Sequence, residues 1–133
     1  MPFPEKLKLE LVENGKRGWR TADHFFYVTR RGVTLMIPKG TRTDGASIPR
    51  FFWRVIGDPM NTDYVQAAVL HDFLWREAIQ GLTTFRLANR LFREALAELG
   101  VTPWRRRLMW AAVSLNSLRF RLSSFILHSS SFP

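Results

Sequence analysis

The hydrophobic period of this chain changes once, near Asn61, and that change limits the folds open to it. Upstream, "LKLELVE" (Leu7–Glu13) alternates apolar and charged residues, the period of a half-buried strand. "NGKRG" (Asn14–Gly18) is turn material. Two β-rich runs, His24–Thr29 and Val33–Pro38, flank Arg30-Arg31-Gly32 and predict a hairpin. Thr41–Pro59 leaves the sheet as an irregular segment. Downstream, Tyr64, Ala67, Ala68, His71, Leu74 and Trp75 share one face of a helix that ends near Gly81. Thr83 or Thr84 can cap a second helix, with Phe85, Ala88, Phe92, Ala95, Leu96 and Leu99 as its apolar stripe and Gly100 as its stop. Thr102-Pro103 opens a third helix that runs to about Asn116.

The short Gly81–Thr83 link makes the first two helices antiparallel neighbours. The expected class is therefore α+β: a small N-terminal antiparallel sheet, an irregular motif loop, then three helices. A chain of 133 residues supports one core, so residues 1–121 are read as a single domain and 122–133 as a Ser-rich tail. In that tail Phe125, Ile126 and Leu127 are the groups able to dock or to touch lipid.

Composition excludes some chemistry. With no Cys there is no disulfide framework and no thiolate metal site. The N-terminal "MPFPEKLKLE" has no apolar run of signal-peptide type, and no stretch reaches the roughly 18 apolar residues that span a bilayer. The net charge of +9 is uneven: Arg105, Arg106, Arg107, Arg119 and Arg121 follow Glu98 with no acid among them. They are interleaved with Trp104, Trp110, Phe120 and Phe125, which suits contact with an anionic membrane surface or a protein. Nucleic acid ranks lower, because no recognised binding signature accompanies the charge.

The polar residues worth following are "TDGAS" (Thr43–Ser47) and His71-Asp72. Adjacent helical residues point about 100° apart, so His71 joins the apolar face and Asp72 turns to the flank. Across the helix pair, Asn89 or Arg86 can meet His71. Asp72 can face the loop of Thr43, Asp44, Gly45 and Ser47, where two carboxylates with loop carbonyls suit Ca²⁺ or Mg²⁺. A His beside such an ion can act as general base on water. The competing reading is structural: a hydrogen-bonded core His, ordinary turn residues, solvated arginines and core aromatics, Trp75 included.

Together, "IPKGTRTDGASIPRFFW", "AAVLHDFLW" and "FRLANRLFREALAELGV" resemble domain-of-unknown-function family 1353, small proteins common in tailed bacteriophages and prophages. The match runs through Thr43–Pro49, Ala67–Asp72, Arg86 and Phe92. It departs at Trp75, where the family pattern has Tyr, and at Asn89, where it has Asp. The resemblance implies a phage or prophage origin, phage virion or tail proteins as partners, and residence in the host cytoplasm or the virion.

The same order of motifs is similar, more weakly, to microbial secreted phospholipases A2. That similarity implies His71 as base, Asn89 as its orienting partner, and Asp44 and Asp72 with Thr43, Gly45 and Ser47 as a calcium site, with no organic cofactor. Asn89 is neutral, so it cannot stabilise an imidazolium as a carboxylate does. Two functions follow as expectations: a metal-dependent hydrolase of envelope lipid or another ester, or a non-enzymatic virion or tail-assembly protein whose His-Asp motif is a buried polar network.

Overall fold

The computed structural model describes residues 2–11, 19–43, 54 and 64–130, with Leu11 and residues 125–130 described by backbone alone. Its architecture is α+β. Among the described residues, five short strands precede three helices: β1 (Leu9–Leu11), β2 (Trp19–Thr21), β3 (Phe25–Val28), β4 (Thr34–Ile37), β5 (Arg42–Thr43), α1 (Val65–Ile79), α2 (Phe85–Glu98) and α3 (Pro103–Ser130). Strands β1, β2 and β5 form one antiparallel sheet in that order, and β3 pairs with β4 in a second.

The predicted hairpin is β3–β4, in register Phe25 opposite Ile37 and Tyr27 opposite Leu35. Its period of two is visible in burial: Phe25, Tyr27 and Ile37 enter the core while Phe26, Val28 and Met36 face outward. Strands β2 and β5 have no counterpart in the periodicity. Both are too short to show a period, and β5 falls where an irregular segment is expected. They are held by pairing of Trp19 with Thr43 and Arg20 with Arg42. Buried Thr21 ties them to the hairpin: its hydroxyl donates to the Pro38 carbonyl (2.8 Å) and accepts from the Thr41 N–H (3.0 Å).

Capping places the helices where the sequence puts them. Thr84, not Thr83, caps α2, its hydroxyl accepting from the Leu87 N–H at 3.1 Å. Gly81 ends α1 and Gly100 ends α2, each in the left-handed region (φ +80° and +81°). In both, two N–H groups close the last turn: Gly81 to Ala78 and Leu82 to Glu77, then Gly100 to Ala97 and Val101 to Leu96. Only Gly takes that conformation without steric cost. The third helix departs from expectation. It continues past Asn116 to Ser130, so the Ser-rich segment from residue 122 begins as helix rather than frayed coil. No Gly or Pro interrupts this span, and Phe120 packs against Trp75 and Phe85, carrying the helix beyond the main core.

The core collects Phe25, Tyr27 and Ile37 from the hairpin, Leu70 from α1, Phe92 and Leu96 from α2, and Met109 and Val113 from α3. Helix α1 is its centre: of the eight positions Ala67–Leu74 only Phe73 is not buried. No helix among the described residues is long and apolar enough to cross a membrane. A polar clip joins hairpin to helices. The Tyr27 hydroxyl donates to Glu94 Oε1 (2.5 Å), which also accepts the Arg30 N–H (3.0 Å), while Arg30 Nε meets Glu98 Oε1 at 2.8 Å. Burial, then the Glu94 carboxylate, pushes the Tyr27 phenol well above its ordinary range, so it remains a donor.

Replacing Tyr27 with Phe removes a buried donor to a carboxylate, and the expected cost is about 2 kcal/mol. The urea midpoint should fall with the m-value unchanged. Arg30→Gln, at the exposed end of the same clip, should barely move it. If the two variants behave alike, the clip does not hold the hairpin.

Candidate functional site

His71 is fully buried on α1 and its ring is directed at α2. The protonation state follows from the end of a hydrogen-bond chain. The Ser114 carbonyl can only accept, so the Ser117 hydroxyl donates to it (2.9 Å). The Ser117 oxygen then accepts from Asn89 Nδ2 (3.0 Å). That turns Asn89 Oδ1 toward His71 Nε2, 2.8 Å away, and an amide oxygen offers no proton. Nε2 therefore carries the hydrogen, and in the neutral ring Nδ1 is the basic nitrogen. The chain links α1, α2 and α3 through three buried side chains.

Aromatic rings enclose it. Phe92 lies 4.8 Å from the His71 ring centroid and Trp75 lies 6.1 Å away. Trp75 in turn meets Phe85 (4.7 Å) and Phe120 (5.7 Å). In that setting burial pulls the His71 pKa below its ordinary 6.5, against smaller upward effects of the Asn89 hydrogen bond and the Asp72 charge. His71 is neutral at pH 7.

Asp72, which the helical spacing turns to the flank of α1, is buried there. It is only 5% exposed, because β5 covers the side of α1 opposite the helices. Its Oδ2 accepts the hydroxyl of Thr43, itself buried at the end of β5. The expected approach of the motif loop is therefore visible through Thr43; Asp44, Gly45 and Ser47 lie outside the described residues. Of the two candidates facing His71, Asn89 takes the position and Arg86 is exposed. Among the described residues no group of three or more His, Asp or Glu is arranged to hold a metal ion.

Sequence reasoning missed Ser117. Met109, Val113, Ser117 and Phe120 fall at helical spacing, and a polar residue on that stripe was the available signal. Ending the helix near Asn116 hid it.

Two measurements test this centre. Ser117→Ala leaves the buried Asn89 amide without its acceptor and should cost about 1–3 kcal/mol, whereas exposed Ser123→Ala should cost almost nothing. For pH, the unfolded chain takes up a proton near the ordinary 6.5 while the folded ring resists. Stability from this group is thus complete above that pH and lost as pH falls below it. From about pH 7.5 to about 5.5 the urea midpoint should drop further for the wild type than for His71→Gln. Equal drops would mean that His71 is not the group responsible.

The family model described as "Protein of unknown function (DUF1353)" matches residues 19–113. That span contains Thr43, His71, Asp72 and Asn89 and stops before Ser114 and Ser117. Among curated proteins, the chain is 34% identical over 90 residues to the uncharacterized protein y4jT of Sinorhizobium fredii. It is 33% identical over 89 residues to the uncharacterized protein y4iH of the same organism. These alignments cover 68% and 67% of this chain but 26% and 36% of the relatives, so the chain spans about a quarter to a third of their length. No solved structure gives a significant match to it. On the family match across the sheet, the helix pair and the His-Asp segment, the chain belongs to the DUF1353 family.

Proposed function

We propose that the chain is a structural or assembly module of phage or prophage origin, residing in the host cytoplasm or the virion. Its partners are virion or tail proteins, or an anionic membrane surface. One observation supports this reading best. His71 is sealed from solvent and spends its N–H on an amide whose other end is already bound to Ser117. Among the described residues, no buried side-chain nitrogen or oxygen lacks a partner. A base shut away from water is poorly placed to exchange its proton with it, whereas three helices that must keep one rotation gain from the bonded chain.

A second reading, a metal-dependent hydrolase of envelope lipid or another ester, draws on a different observation. Thr43 bonded to Asp72 sets the strand end that leads into Asp44 against the helix carrying His71. Carboxylate and hydroxyl oxygens are hard donors of the kind Ca²⁺ takes, and Asp72 with Asp44 would hold the ion. Bound there it would supply electrophilic polarisation of an ester carbonyl. His71, neutral, would be the base, with Asn89 orienting the ring. An amide in that role forgoes the charge that stabilises an imidazolium, a substitution that costs about 10⁴ in rate in serine-protease triads.

Calorimetry with millimolar calcium and assays on short-chain phosphatidylcholine and nitrophenyl esters separate the two. We expect no heat of binding, and no turnover by the wild type or Asn89→Asp. In that variant the new carboxylate should raise the His71 pKa, with desolvation opposing, and chiefly alter stability. Calcium-dependent turnover that rises in Asn89→Asp and disappears in Asp72→Asn would overturn the structural reading.

A further inference from the structure

A groove of about 780 Å³ runs between the β3–β4 hairpin, the outer face of α2 and the start of α3. Among the described residues five arginines line it, Arg30, Arg31, Arg90, Arg93 and Arg106, against one acid, Glu94. That acid is already taken by the Tyr27 hydroxyl and the Arg30 N–H. Arg30 is paired with Glu98, and Arg93 stacks over the Trp110 ring at 5.6 Å. Arg31, Arg90 and Arg106 have no ion-pair partner among the described residues. The lining is not uniformly polar. Val33, Leu35, Leu87 and Leu91 contribute aliphatic surface, and among the described residues no aromatic ring lines the groove.

We propose that this groove binds a phosphate ester carrying an aliphatic chain, the guanidinium groups holding the phosphate and the aliphatic side chains taking the hydrocarbon. Each part of the ligand answers a feature of the site. Three uncompensated guanidiniums around one groove repel, and a dianion bound within it lowers that repulsion. Arginine's planar fork meets phosphate oxygens two at a time, which the compact ammonium of lysine does not. A groove of this size holds a small molecule rather than a duplex. Without a ring on which a base can stack, a nucleotide gains little from the apolar wall, whereas a hydrocarbon chain gains in proportion to the area it covers. Half-exposed Trp110, under Arg93, is a residue type at home where lipid headgroups meet water. The proposal does not depend on either reading of His71, which lies on the other side of α2. Phosphate chemistry of this kind reaches a protein from a bilayer or as a free monomer, and both sources are tested.

The probe is phosphatidic acid with two hexanoyl chains, kept below its micelle concentration, titrated into the full-length protein by calorimetry at low salt. Phosphatidylcholine of the same chain length, inorganic phosphate, a short single-stranded oligonucleotide and an acidic peptide serve as comparators. Phosphatidic acid should bind at least about tenfold tighter than each of them. Arg31→Gln combined with Arg90→Gln should weaken it by about tenfold or more. Both side chains are exposed and unpaired, so the fold should survive, as circular dichroism will check. Arg119→Gln with Arg121→Gln, remote from the groove, should leave the affinity unchanged. Vesicles containing long-chain phosphatidic acid should retain the wild type and release the groove variant if the source is a membrane; binding of the monomer alone assigns a free phosphate ester. No binding, equal binding of phosphatidylcholine or inorganic phosphate, tighter binding of the oligonucleotide or peptide, or indifference to the groove arginines would each overturn the proposal.

Discussion

A hydrogen-bond chain with only one possible direction sits at the centre of this protein. Because the Ser114 carbonyl cannot donate, every group upstream has its role assigned: Ser117 gives, Asn89 receives on one end and gives on the other, His71 gives. Each bond is worth only about 1 kcal/mol net, but an unpaired buried member costs about 1–3 kcal/mol. The chain is therefore better understood as a constraint on alternatives than as a sum of gains. Rotating any one helix relative to the others would strand a buried polar group. Apolar contacts among Leu70, Phe92, Leu96 and Val113 attract, but they tolerate small rotations; the polar chain does not.

The adjacent residue performs the matching task on the other side of α1. Successive helical side chains diverge by about 100°. His71 can therefore face the helices while Asp72 faces the sheet, and both can be buried only because α1 is covered on two sides. Thr43 supplies the partner from β5, and β5 is held in place by pairing with β2 and by the Thr21 junction to Pro38 and Thr41. The dipeptide is thus one place, beside the Tyr27–Glu94 clip, where the two halves of an α+β fold, each with its own periodicity, are fixed to one another. That gives the pair a sufficient structural reason to exist in this chain.

These relations explain what the sequence disclosed. Helix ends were legible because Thr84, Gly81 and Gly100 act locally, through bonds to residues three to five positions away. The hairpin was legible because Phe25, Tyr27 and Ile37 alternate with outward residues over a whole strand. Antiparallel helices and their spacing put Asn89 or Arg86 opposite His71, and only the structure decides for Asn89. Strands β2 and β5 did not follow, since two or three residues have no measurable period and their pairing is between distant segments. For the same reason the segment facing Asp72 was read as loop, where strand β5 brings Thr43 to it. Ser117 was lost to a helix end placed too early, as nothing local marks where α3 must stop.

Charge shows the same division between local and distant causes. No lysine follows Lys39, so every basic residue of the helical half is Arg. Guanidinium groups are weakly hydrated and planar, which lets them lie on rings: Arg93 over Trp110, and Arg105 over Tyr64 at 5.8 Å. At Arg93 such a contact holds a cation at a helix interface with no carboxylate partner among the described residues. That is how α2 and α3 carry so many arginines with so few acids between them. Helix α2 then has two faces of opposite character. Asn89, Phe92 and Leu96 look inward to a core in which, among the described residues, every buried side-chain nitrogen and oxygen has a partner, while Arg90 and Arg93 look outward over Leu87 and Leu91, where positive charge is left over. Folding accounts for the first face completely and for the second hardly at all, since like charges gathered on one side oppose the compact state. An excess of charge that the fold does not need is the part of a surface most in want of a partner.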